Sequence, residues 1–299
     1  MHVIYADKNT RIVVLGATGN QGSFHLQRMQ QYARSVGGAG VVAGVTPGKG
    51  GQVVGDVLVY DSVREAVVEQ DAQVGVMFVP ARIAKDSIME GAEAGLKLVV
   101  AITEGIPVHD VMKAVAFAQA HDCAIIGPNC PGLISPGSIS LGIMPTHLTM
   151  PGKVGVVSRS GTLTYAVIDA LTKSNIGQST VVGIGGDQVI GQTFVDVINR
   201  FAEDDETEAV VLLGEVGGNL EEEGARCARE AGLPLVAFIA GVSAPPDKRM
   251  GHAGAIVSGG EGDAQSKIKR LMAQGVMVAS EIADIPRMVQ EVAGDVIAR

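Results

Sequence analysis

The chain has 299 residues and a formal net charge of −9, with 46% hydrophobic and 18% charged residues. This length allows two domains with well-buried cores, and an acidic chain lacks the basic face that nonspecific nucleic-acid binding requires. Three cysteines without a CxxC pair predict neither a disulfide framework nor a cysteine–zinc site. No apolar run reaches the ~18 residues that span a bilayer, and the polar start lacks a secretory core. We therefore expect a cytoplasmic protein, or a mitochondrial matrix protein in a eukaryote.

Short runs rich in Val and Ile recur through the first part of the chain, with helical patterns between them. The runs are RIVVL at 11–15, VVAGV at 41–45, VGVMFV at 74–79, KLVVAI at 97–102 and CAIIG at 123–127. Near-continuous apolar strands that alternate with helices are typical of a parallel sheet buried on both faces. This part of the chain therefore predicts a doubly wound α/β domain.

A proline-rich stretch separates this series from a second one. Residues 128–152 carry five prolines and no helical period, which is typical of a boundary or a long connection. Five further apolar runs are KVGVV at 153–157, STVVGI at 179–184, EAVVLL at 208–213, PLVAFI at 234–239 and VMVAS at 276–280. The repeated strand–helix order predicts a second doubly wound domain.

The first apolar run ends in a glycine-rich loop, GATGNQG, with the spacing GxxGxxG. Gly16, Gly19 and Gly22 supply the three glycines just before a predicted helix. Glycines let the main chain approach a phosphate, and the helix start adds free N–H donors and a partial positive charge. This spacing is shared by many nucleotide-binding proteins, and in some proteins it only lets strand and helix pack closely.

The second apolar run ends in a cation rather than an acid. An NAD site normally has Asp or Glu here, which binds the ribose, whereas this chain has Lys49 in the run TPGKGG. A cation suits a ligand with an additional phosphate near its ribose, and coenzyme A and NADP both qualify. A solvated turn lysine is the alternative. The run is not a Walker A loop, because no Ser or Thr follows the lysine.

In the second series, hydroxyl groups and glycine crowd the start of a predicted helix. Ser160, Gly161 and Thr162 stand there, in the run SRSGTLTY. Capping explains one hydroxyl, and several together predict a site for a phosphoryl group or a carboxylate at the helix N-terminus. Asp187 and Glu215 each stand among glycines in later loops, where a lone acid is more often solvated or capping than catalytic.

His252 lies between two glycines in the run KRMGHAGAI. A histidine that accepts a phosphoryl group needs one free ring nitrogen, an acceptor at the other nitrogen, and room for three oxygens. Gly251 and Gly254 supply that room. Metal binding has less support, because no second His or Cys stands at ligand spacing. A surface histidine without a role is the alternative.

Eight blocks, in this order, resemble the alpha subunit of succinyl-CoA synthetase, the ADP- or GDP-forming succinate–CoA ligase. The blocks are GATGNQGSFH, GVTPGKGG, ITEGIP, GPNCPG, VSRSGTLTY, GIGGD, GEVGG and KRMGHAGAI. They cover nearly the whole chain. The resemblance implies a Rossmann-like CoA-binding domain over residues 1–127 and a flavodoxin-like ligase domain over residues 128–299. It also implies the reversible reaction of succinate, CoA and a nucleoside triphosphate in the tricarboxylic acid cycle.

The resemblance also assigns roles to individual residues. It implies that His252 becomes a phosphohistidine, whose phosphoryl group passes to succinate, and that Glu215 holds its ring. Further residues match the family's contacts to CoA, to the acid substrate and to phosphate. They are Thr18, Gly19, Asn20, Gln21, Lys49, Ile102, Thr103 and Glu104 for CoA, Tyr165 for the substrate, and Ser160, Gly161 and Thr162 for phosphate at a helix N-terminus.

Nothing in the chain resembles an ATP-binding unit. The resemblance therefore implies a beta subunit with an ATP-grasp fold, which binds ATP or GTP with Mg²⁺ in an αβ or α2β2 assembly. We expect the chain alone to be phosphorylatable but not a complete enzyme, and we expect no metal site within it.

Three places depart from the family pattern. Residues 35–41 form a longer connection than usual, Ala166 replaces a common glutamate, and Gln188 replaces a common proline. Because the last two border the acyl pocket, a malate–CoA or citrate–CoA ligase subunit of the same family is an alternative. Two alternatives belong to other functional classes. A non-catalytic CoA-binding regulatory module has less support because the catalytic motifs are intact. A dinucleotide-dependent oxidoreductase has less support because Lys49 stands where an NAD site normally has an acid.

Overall fold

The computed structural model describes residues 4–242 and 263–294. These residues form two compact α/β units. The N-terminal unit consists of Tyr5–Met144 with Val189–Gly191, and the C-terminal unit of the described residues of Met1–Ile4, Pro145–Gln188 and Gln192–Arg299. The chain thus leaves the N-terminal unit inside the proline-rich stretch 128–152. How the functional domains divide between 1–127 and 128–299 stays a prediction.

The N-terminal unit contains a sheet of seven strands. They are β1 (Ile12–Leu15), β2 (Val41–Val45), β3 (Val53–Val54), β4 (Val57–Tyr60), β5 (Val74–Met77), β6 (Leu98–Ala101) and β7 (Ala124–Ile126). Their order is β3-β4-β2-β1-β5-β6-β7, and neighbours are parallel except for the short β3 against β4. Without β3, the six parallel strands follow the Rossmann order 3-2-1-4-5-6. The predicted fold class of this unit is confirmed.

Helices cover this sheet, and a hairpin follows it. The helices are α1 (Asn20–Val36), α2 (Val63–Gln70), α3 (Ala81–Glu93) and α4 (Val108–Gln119), and the hairpin strands are β8 (Gly132–Ser135) and β9 (Ile139–Gly142). Leu26, Met29 and Ala33 of α1 are buried, at the three- and four-residue spacing that makes one helix face. The hairpin lies against this helix, because the N–H of Gly142 donates to the sulfur of Met29 at 3.3 Å.

The longer connection at residues 35–41 lies away from the loops predicted to bind CoA. Helix α1 ends at Gly37, whose φ is +68°, and the N–H of Gly38 donates to the carbonyl of Ala33 at 2.8 Å. This geometry is a glycine C-cap. The connection leads into the first residue of β2, so it lies at the opposite edge of the sheet from the loops that follow β1 and β2.

The C-terminal unit is built on five parallel strands among the residues described. They are β10 (Pro151–Ser158), β11 (Gln178–Gly183), β12 (Ala209–Gly214), β13 (Leu235–Ile239) and β14 (Met277–Ala279). Their order is β14-β13-β12-β10-β11. Numbered along this unit and viewed from the other edge, the order is 2-1-3-4-5, which is the flavodoxin-like arrangement. The predicted fold class of this unit is also confirmed.

The helices of the C-terminal unit show why the sequence folds this way. They are α5 (Gly161–Lys173), α6 (Phe194–Ala202), α7 (Leu220–Glu230), α8 (Ala264–Ala273) and α9 (Ile285–Ala293). Helix α6 buries Phe194, Val197, Ile198 and Phe201 on one face. Thr193 starts this helix with a capping box. Across both described ranges, the longest apolar helical stretches fall short of what a bilayer crossing requires.

Candidate functional site

Two glycines shape the loop between β1 and α1. Gly16 has a φ of +82°, in the region that favours glycine, and a Cβ there would lie 2.9 Å from the carbonyl oxygen of Phe78. A Cβ on Gly22 would lie 2.0 Å from the carbonyl oxygen of Gly16. The first turn of α1 therefore packs directly on the loop, and both positions exclude a larger side chain.

The start of α1 presents unused main-chain donors. Gly19 is the N-cap residue, and no described side chain caps this helix. The first N–H groups of a helix have no partner within it, and Gly19, Asn20 and Gln21 are exposed. The first turn also carries no acid. The geometry suits an anionic ligand and agrees with the predicted CoA contacts of these residues and Thr18, which stay predictions.

Lys49 lies in the turn after β2, next to this loop. Its N–H donates to the carbonyl of Thr46 at 3.0 Å, and the hydroxyl of Thr46 accepts the N–H of Thr18 at 3.3 Å. Thr46 therefore joins the two loops. The Lys49 side chain is exposed, and its ammonium group forms no ion pair with the residues described. An exposed cation thus lies beside the glycine loop.

The end of β6 contributes to the same edge of the sheet. The hydroxyl of Thr103 donates to the carbonyl of Val79 at 2.7 Å, which ties the segment after β6 to the segment after β5. Ile102 and Thr103 are partly buried, and Glu104 is exposed. Because β1, β2, β5 and β6 are parallel neighbours, the structure brings these residues to the sheet edge that also carries the glycine loop and Lys49.

An aromatic contact fixes α1 against the strand ends. The ring of His25 stacks on Phe78, with centroids 5.3 Å apart and planes at 3°. Burial, and to a smaller extent the charge of Arg28, lowers the pKa of His25 below its usual 6.5. A neutral ring is therefore favoured near pH 7, and a neutral ring suits the stacked contact with Phe78 beside the glycine loop.

Helix α5 starts with hydroxyl groups bonded to the main chain. Ser160 is the N-cap residue, and its hydroxyl accepts the N–H of Leu163 at 3.4 Å. Its own N–H donates to the hydroxyl of Ser158 at 3.0 Å. Thr162 is exposed and Tyr165 partly buried in the first turns. Capping thus explains Ser160, and the predicted phosphate contacts of this residue, Gly161 and Thr162 stay a prediction, as does the substrate contact of Tyr165.

Glu215 is buried directly after β12, not solvated in a turn. Its side chain is 9% exposed, and its Oε1 lies 3.4 Å from Nε of Arg159, which is 4% exposed. The guanidinium group of Arg159 also donates to the carbonyl of Asp187 at 3.2 Å. One buried cation therefore joins the segments that follow β10, β11 and β12. Sequence reasoning missed Arg159, although the residue stands between two serines at a strand end.

Two further buried charges hold the main chain of Glu215. Oε1 of Glu221 accepts the N–H of Glu215 at 3.1 Å. Nζ of Lys267 donates to the carbonyls of Glu215 at 2.8 Å and Gly217 at 2.7 Å, and to Oε2 of Glu221 at 2.6 Å. Both side chains are 0% exposed. Sequence reasoning missed both residues, because an acid in the first turn of a helix is ordinary and Lys267 is distant along the chain.

His252 lies outside the described residues, so its predicted contact with Glu215 and its phosphorylation stay predictions. Within the described ranges, no three His, Cys, Asp or Glu side chains are grouped to hold a metal ion.

The three cysteines form no disulfide and differ in exposure. Cys123 and Cys130 are buried, and Cys227 is partly exposed. Burial raises the pKa of the Cys123 thiol to about 11, against the opposing charge of Lys97. The pKa of Cys227 is also raised, first by burial and then by Glu230.

The two units define a class of protein. The chain contains a Rossmann-like unit with a glycine loop and an exposed lysine, and a flavodoxin-like unit with a buried charge cluster. The family model described as a CoA binding domain matches residues 7–105, and the one described as CoA-ligase matches residues 157–277. The chain is therefore of the CoA-binding ligase class.

Relatives identify the family within this class. The chain is 55% identical over 289 residues to the succinate–CoA ligase (ADP-forming) subunit alpha 2 of Archaeoglobus fulgidus, covering 97% of this chain and 99% of the relative. It is 51% identical over 283 residues to the corresponding alpha subunit of Staphylococcus aureus strain Mu50, covering 94% and 92%. The chain belongs to the family of succinate–CoA ligase alpha subunits. The predicted family is confirmed.

A solved structure extends the comparison. The chain is similar to ATP citrate lyase from Methanothrix soehngenii in complex with citrate and coenzyme A, with a TM-score of 0.87 and 26% identity. The match covers 99% of this chain and 52% of that chain, so this chain spans about half the length of the lyase.

Proposed function

We propose that this chain is the alpha subunit of a succinate–CoA ligase. Together with a beta subunit, it converts succinate, CoA and a nucleoside triphosphate reversibly to succinyl-CoA, nucleoside diphosphate and phosphate. The observation that carries this proposal is the 55% identity to an alpha subunit of that name over 97% of the chain. The buried cluster around Glu215 supports a catalytic role over a regulatory one, because charges are buried there at strand ends where ligands bind.

Coenzyme A is the proposed ligand of the N-terminal unit. The residues present fit its charge, since the start of α1 offers N–H donors and Lys49 offers a cation for phosphate groups. We propose that Asn20 and Gln21 bind phosphate through their main-chain N–H groups, and that Thr18 and Gly19 contact the same ligand. We propose that Ile102, Thr103 and Glu104, which follow β6, line the bound ligand opposite the glycine loop.

We propose a phosphohistidine mechanism for the C-terminal unit. An imidazole nitrogen of His252 attacks the γ-phosphorus of the nucleoside triphosphate, the N–P bond forms, the bond to the bridging oxygen breaks, and the diphosphate leaves. A carboxylate oxygen of succinate then attacks the phosphorus, so the N–P bond breaks and succinyl phosphate forms. The CoA sulfur attacks the acyl carbon, phosphate leaves with the C–O electron pair, and the thiol proton passes to solvent. A carboxylate has no adequate leaving group until it is phosphorylated.

Residues of this chain prepare the histidine and the phosphoryl group. Glu215 accepts the N–H of the second ring nitrogen, which fixes the tautomer and stabilises the cation that forms on attack. The start of α5, with Ser160, Gly161 and Thr162, stabilises the phosphoryl oxygens through N–H groups and the helix dipole. Tyr165, in the second turn, contacts the acid substrate.

The nucleotide site belongs to the partner in this proposal. An alpha subunit implies a beta subunit, and we propose one with an ATP-grasp fold that binds ATP or GTP. Mg²⁺ bound there would neutralise phosphate charge during transfer. In this proposal the complex is an αβ pair or an α2β2 dimer of such pairs.

A labelling experiment tests the mechanism. The chain with its co-purified partner is incubated with γ-³²P ATP or GTP, and we expect an acid-labile, base-stable label on the chain. His252→Asn should abolish the label. His147→Asn is the matched control, because His147 is an exposed histidine of the same unit, and it should label like wild type. Equal labelling of His252→Asn and wild type would show the mechanism to be wrong.

The acid substrate is tested by thioester formation with succinate, malate and citrate at equal concentration. We expect succinate to react fastest, because the similarity to succinate–CoA ligase subunits at 55% exceeds that to ATP citrate lyase at 26%. Faster reaction with malate or citrate would favour that alternative. Binding of CoA without any label or thioester would favour the regulatory module.

A further inference from the structure

The Lys267–Glu221 pair is unusual for its complete burial. Both side chains are 0% exposed, with 2.6 Å between Nζ and Oε2. The three donors of the ammonium group match three acceptors, namely Oε2 of Glu221 and the carbonyls of Glu215 and Gly217. Such pairs contribute little net stability, because desolvation offsets their attraction. The burial of this pair therefore indicates a role other than stabilising the fold.

The pair holds both sides of one peptide segment. Glu221 accepts the N–H of Glu215, and Lys267 donates to its carbonyl. The fit is close, because a Cβ on Gly214 would lie 2.3 Å from Cγ of Glu221. Gly217 has a φ of +92°, a conformation that favours glycine and directs its carbonyl into the same cluster. The main chain of Glu215 is thus fixed independently of its carboxylate, which pairs with Arg159.

The pair also joins this loop to the helix that follows the His252 segment in sequence. Lys267 lies in α8, which begins with the N-cap Asp263, the first described residue after 243–262. Glu221 lies in the first turn of α7. One ion pair therefore connects the loop of the proposed ring-holding acid to the helix at the end of the proposed nucleophile's segment.

We infer that Glu221 and Lys267 are positioning residues for the phosphoryl transfer, which hold the main chain of Glu215 so that its carboxylate meets the imidazole of His252. The inference rests on the proposed function. Errors of about 1 Å in positioning reduce rates by roughly 100-fold, so a loop that relaxes without the pair slows the phosphorylation step. CoA binding, which belongs to the other unit, does not change.

A double substitution separates positioning from stability. Glu221→Leu with Lys267→Met removes both charges and leaves an apolar contact, but the N–H of Glu215 and the carbonyls of Glu215 and Gly217 lose their partners. We therefore expect a lower unfolding midpoint but a folded protein with an unchanged Kd for CoA, and a fall of about 10- to 100-fold in the rate of His252 labelling and in kcat.

The matched control removes a second ion pair between the same helices. Arg270 lies 2.8 Å from Glu222, with side chains 45% and 10% exposed, and neither has a contact with the main chain of Glu215 among the bonds described. Arg270→Met with Glu222→Leu should label at the wild-type rate. An equal fall in this control would mean that the α7–α8 contact matters only for packing, and would overturn the inference.

A milder variant decides the question if the double variant does not fold. In Glu221→Gln, the amide has one acceptor oxygen where the carboxylate has two, so either the N–H of Glu215 or Nζ of Lys267 loses its partner. We expect labelling to slow by about threefold to tenfold with the Kd for CoA unchanged. Wild-type labelling of either variant overturns the inference. Absence of label on wild type, or its presence on His252→Asn, would instead overturn the proposed function.

Discussion

The loop after β1 and the loop after β12 differ in exposure and in the arrangement of charge around them. The first is made of glycine main chain, with an exposed helix start that no described side chain caps and an exposed lysine beside it. The second is enclosed by buried charges, with Arg159 on the carboxylate of Glu215 and Lys267 with Glu221 on its main chain. An open loop suits a ligand that brings its own phosphate charge. A closed cluster suits a reaction that needs one charge held in place.

The largest expected effect is that of Gly22→Ala on the open loop. The new Cβ would lie 2.0 Å from the carbonyl oxygen of Gly16, so the first turn of α1 must move. We expect the free energy of unfolding to fall by about 1–3 kcal/mol and the Kd for CoA to rise by about tenfold or more, measured by urea unfolding and titration calorimetry.

The control for this substitution lies at the other end of the same helix. Gly37 has a φ of +68° but open space around its Cβ position, so Gly37→Ala should lower the free energy of unfolding by about 1–2 kcal/mol. Its Kd for CoA should not change. Equal weakening of CoA binding in both variants would show that stability, not loop shape, controls binding.

Ser160→Ala tests whether the cap of α5 does more than start a helix. Losing an N-cap should lower the free energy of unfolding by about 1 kcal/mol. Ser62→Ala removes the same kind of cap from α2 and should lower the free energy of unfolding by a similar amount. If α5 binds phosphate, only Ser160→Ala slows the labelling of His252. Identical labelling rates in both variants would restrict Ser160 to capping.

Lys49→Ala tests the free cation of the open loop. We expect CoA binding to weaken by roughly 1 kcal/mol, about fivefold in Kd, at low salt. The difference from wild type should shrink as ionic strength rises, because the charge is exposed and screened. Lys113→Ala, at an exposed lysine of α4, should leave the Kd unchanged. Unchanged binding of Lys49→Ala at low salt removes this residue from the site.

The smallest expected effect is the pH dependence that His25, which lies beside the glycine loop, gives to the free energy of unfolding. Because burial lowers the pKa of His25 below 6.5, the unfolded chain binds the proton more readily than the folded one. The contribution of His25 to stability is therefore complete above pH 6.5 and declines as the pH falls through the lowered pKa. The difference in unfolding free energy between wild type and His25→Gln should be larger at pH 7.5 than at pH 5.5. A difference that grows at the lower pH contradicts the sign.

Sequence reasoning predicted the open loop far better than the closed one. The strands and glycine loops follow local patterns, so the sheets, the GxxGxxG loop and Lys49 were found from short segments. The β8–β9 hairpin was missed, because its four-residue strands lie among prolines and glycines in the stretch interpreted as a connection. From its residues alone, the sequence predicts a solvated or capping acid at Glu215; only the family resemblance indicates a site role, and the structure shows its burial.

The residues that enclose Glu215 were beyond local patterns for a physical reason. Arg159 and Lys267 reach the same loop from opposite directions along the chain, 56 and 52 residues away by residue number (215 − 159 and 267 − 215). Their contacts exist only because parallel strands bring distant loops to one edge. A buried lysine inside an otherwise ordinary amphipathic helix gives no periodic signal that separates it from a surface lysine.

The shielded cysteines have a consequence for the chemistry of acyl transfer. A thiol attacks an activated acyl group as its thiolate, and a pKa of about 11 leaves Cys123 almost wholly protonated at neutral pH. With Cys130 buried and the pKa of Cys227 also raised, the protein's own sulfur atoms are poor nucleophiles. In the proposed reaction, the acyl group would therefore react with the sulfur of CoA, and acylation of the protein's own cysteines would be suppressed by the raised pKa values of Cys123 and Cys227 and by the burial of Cys130.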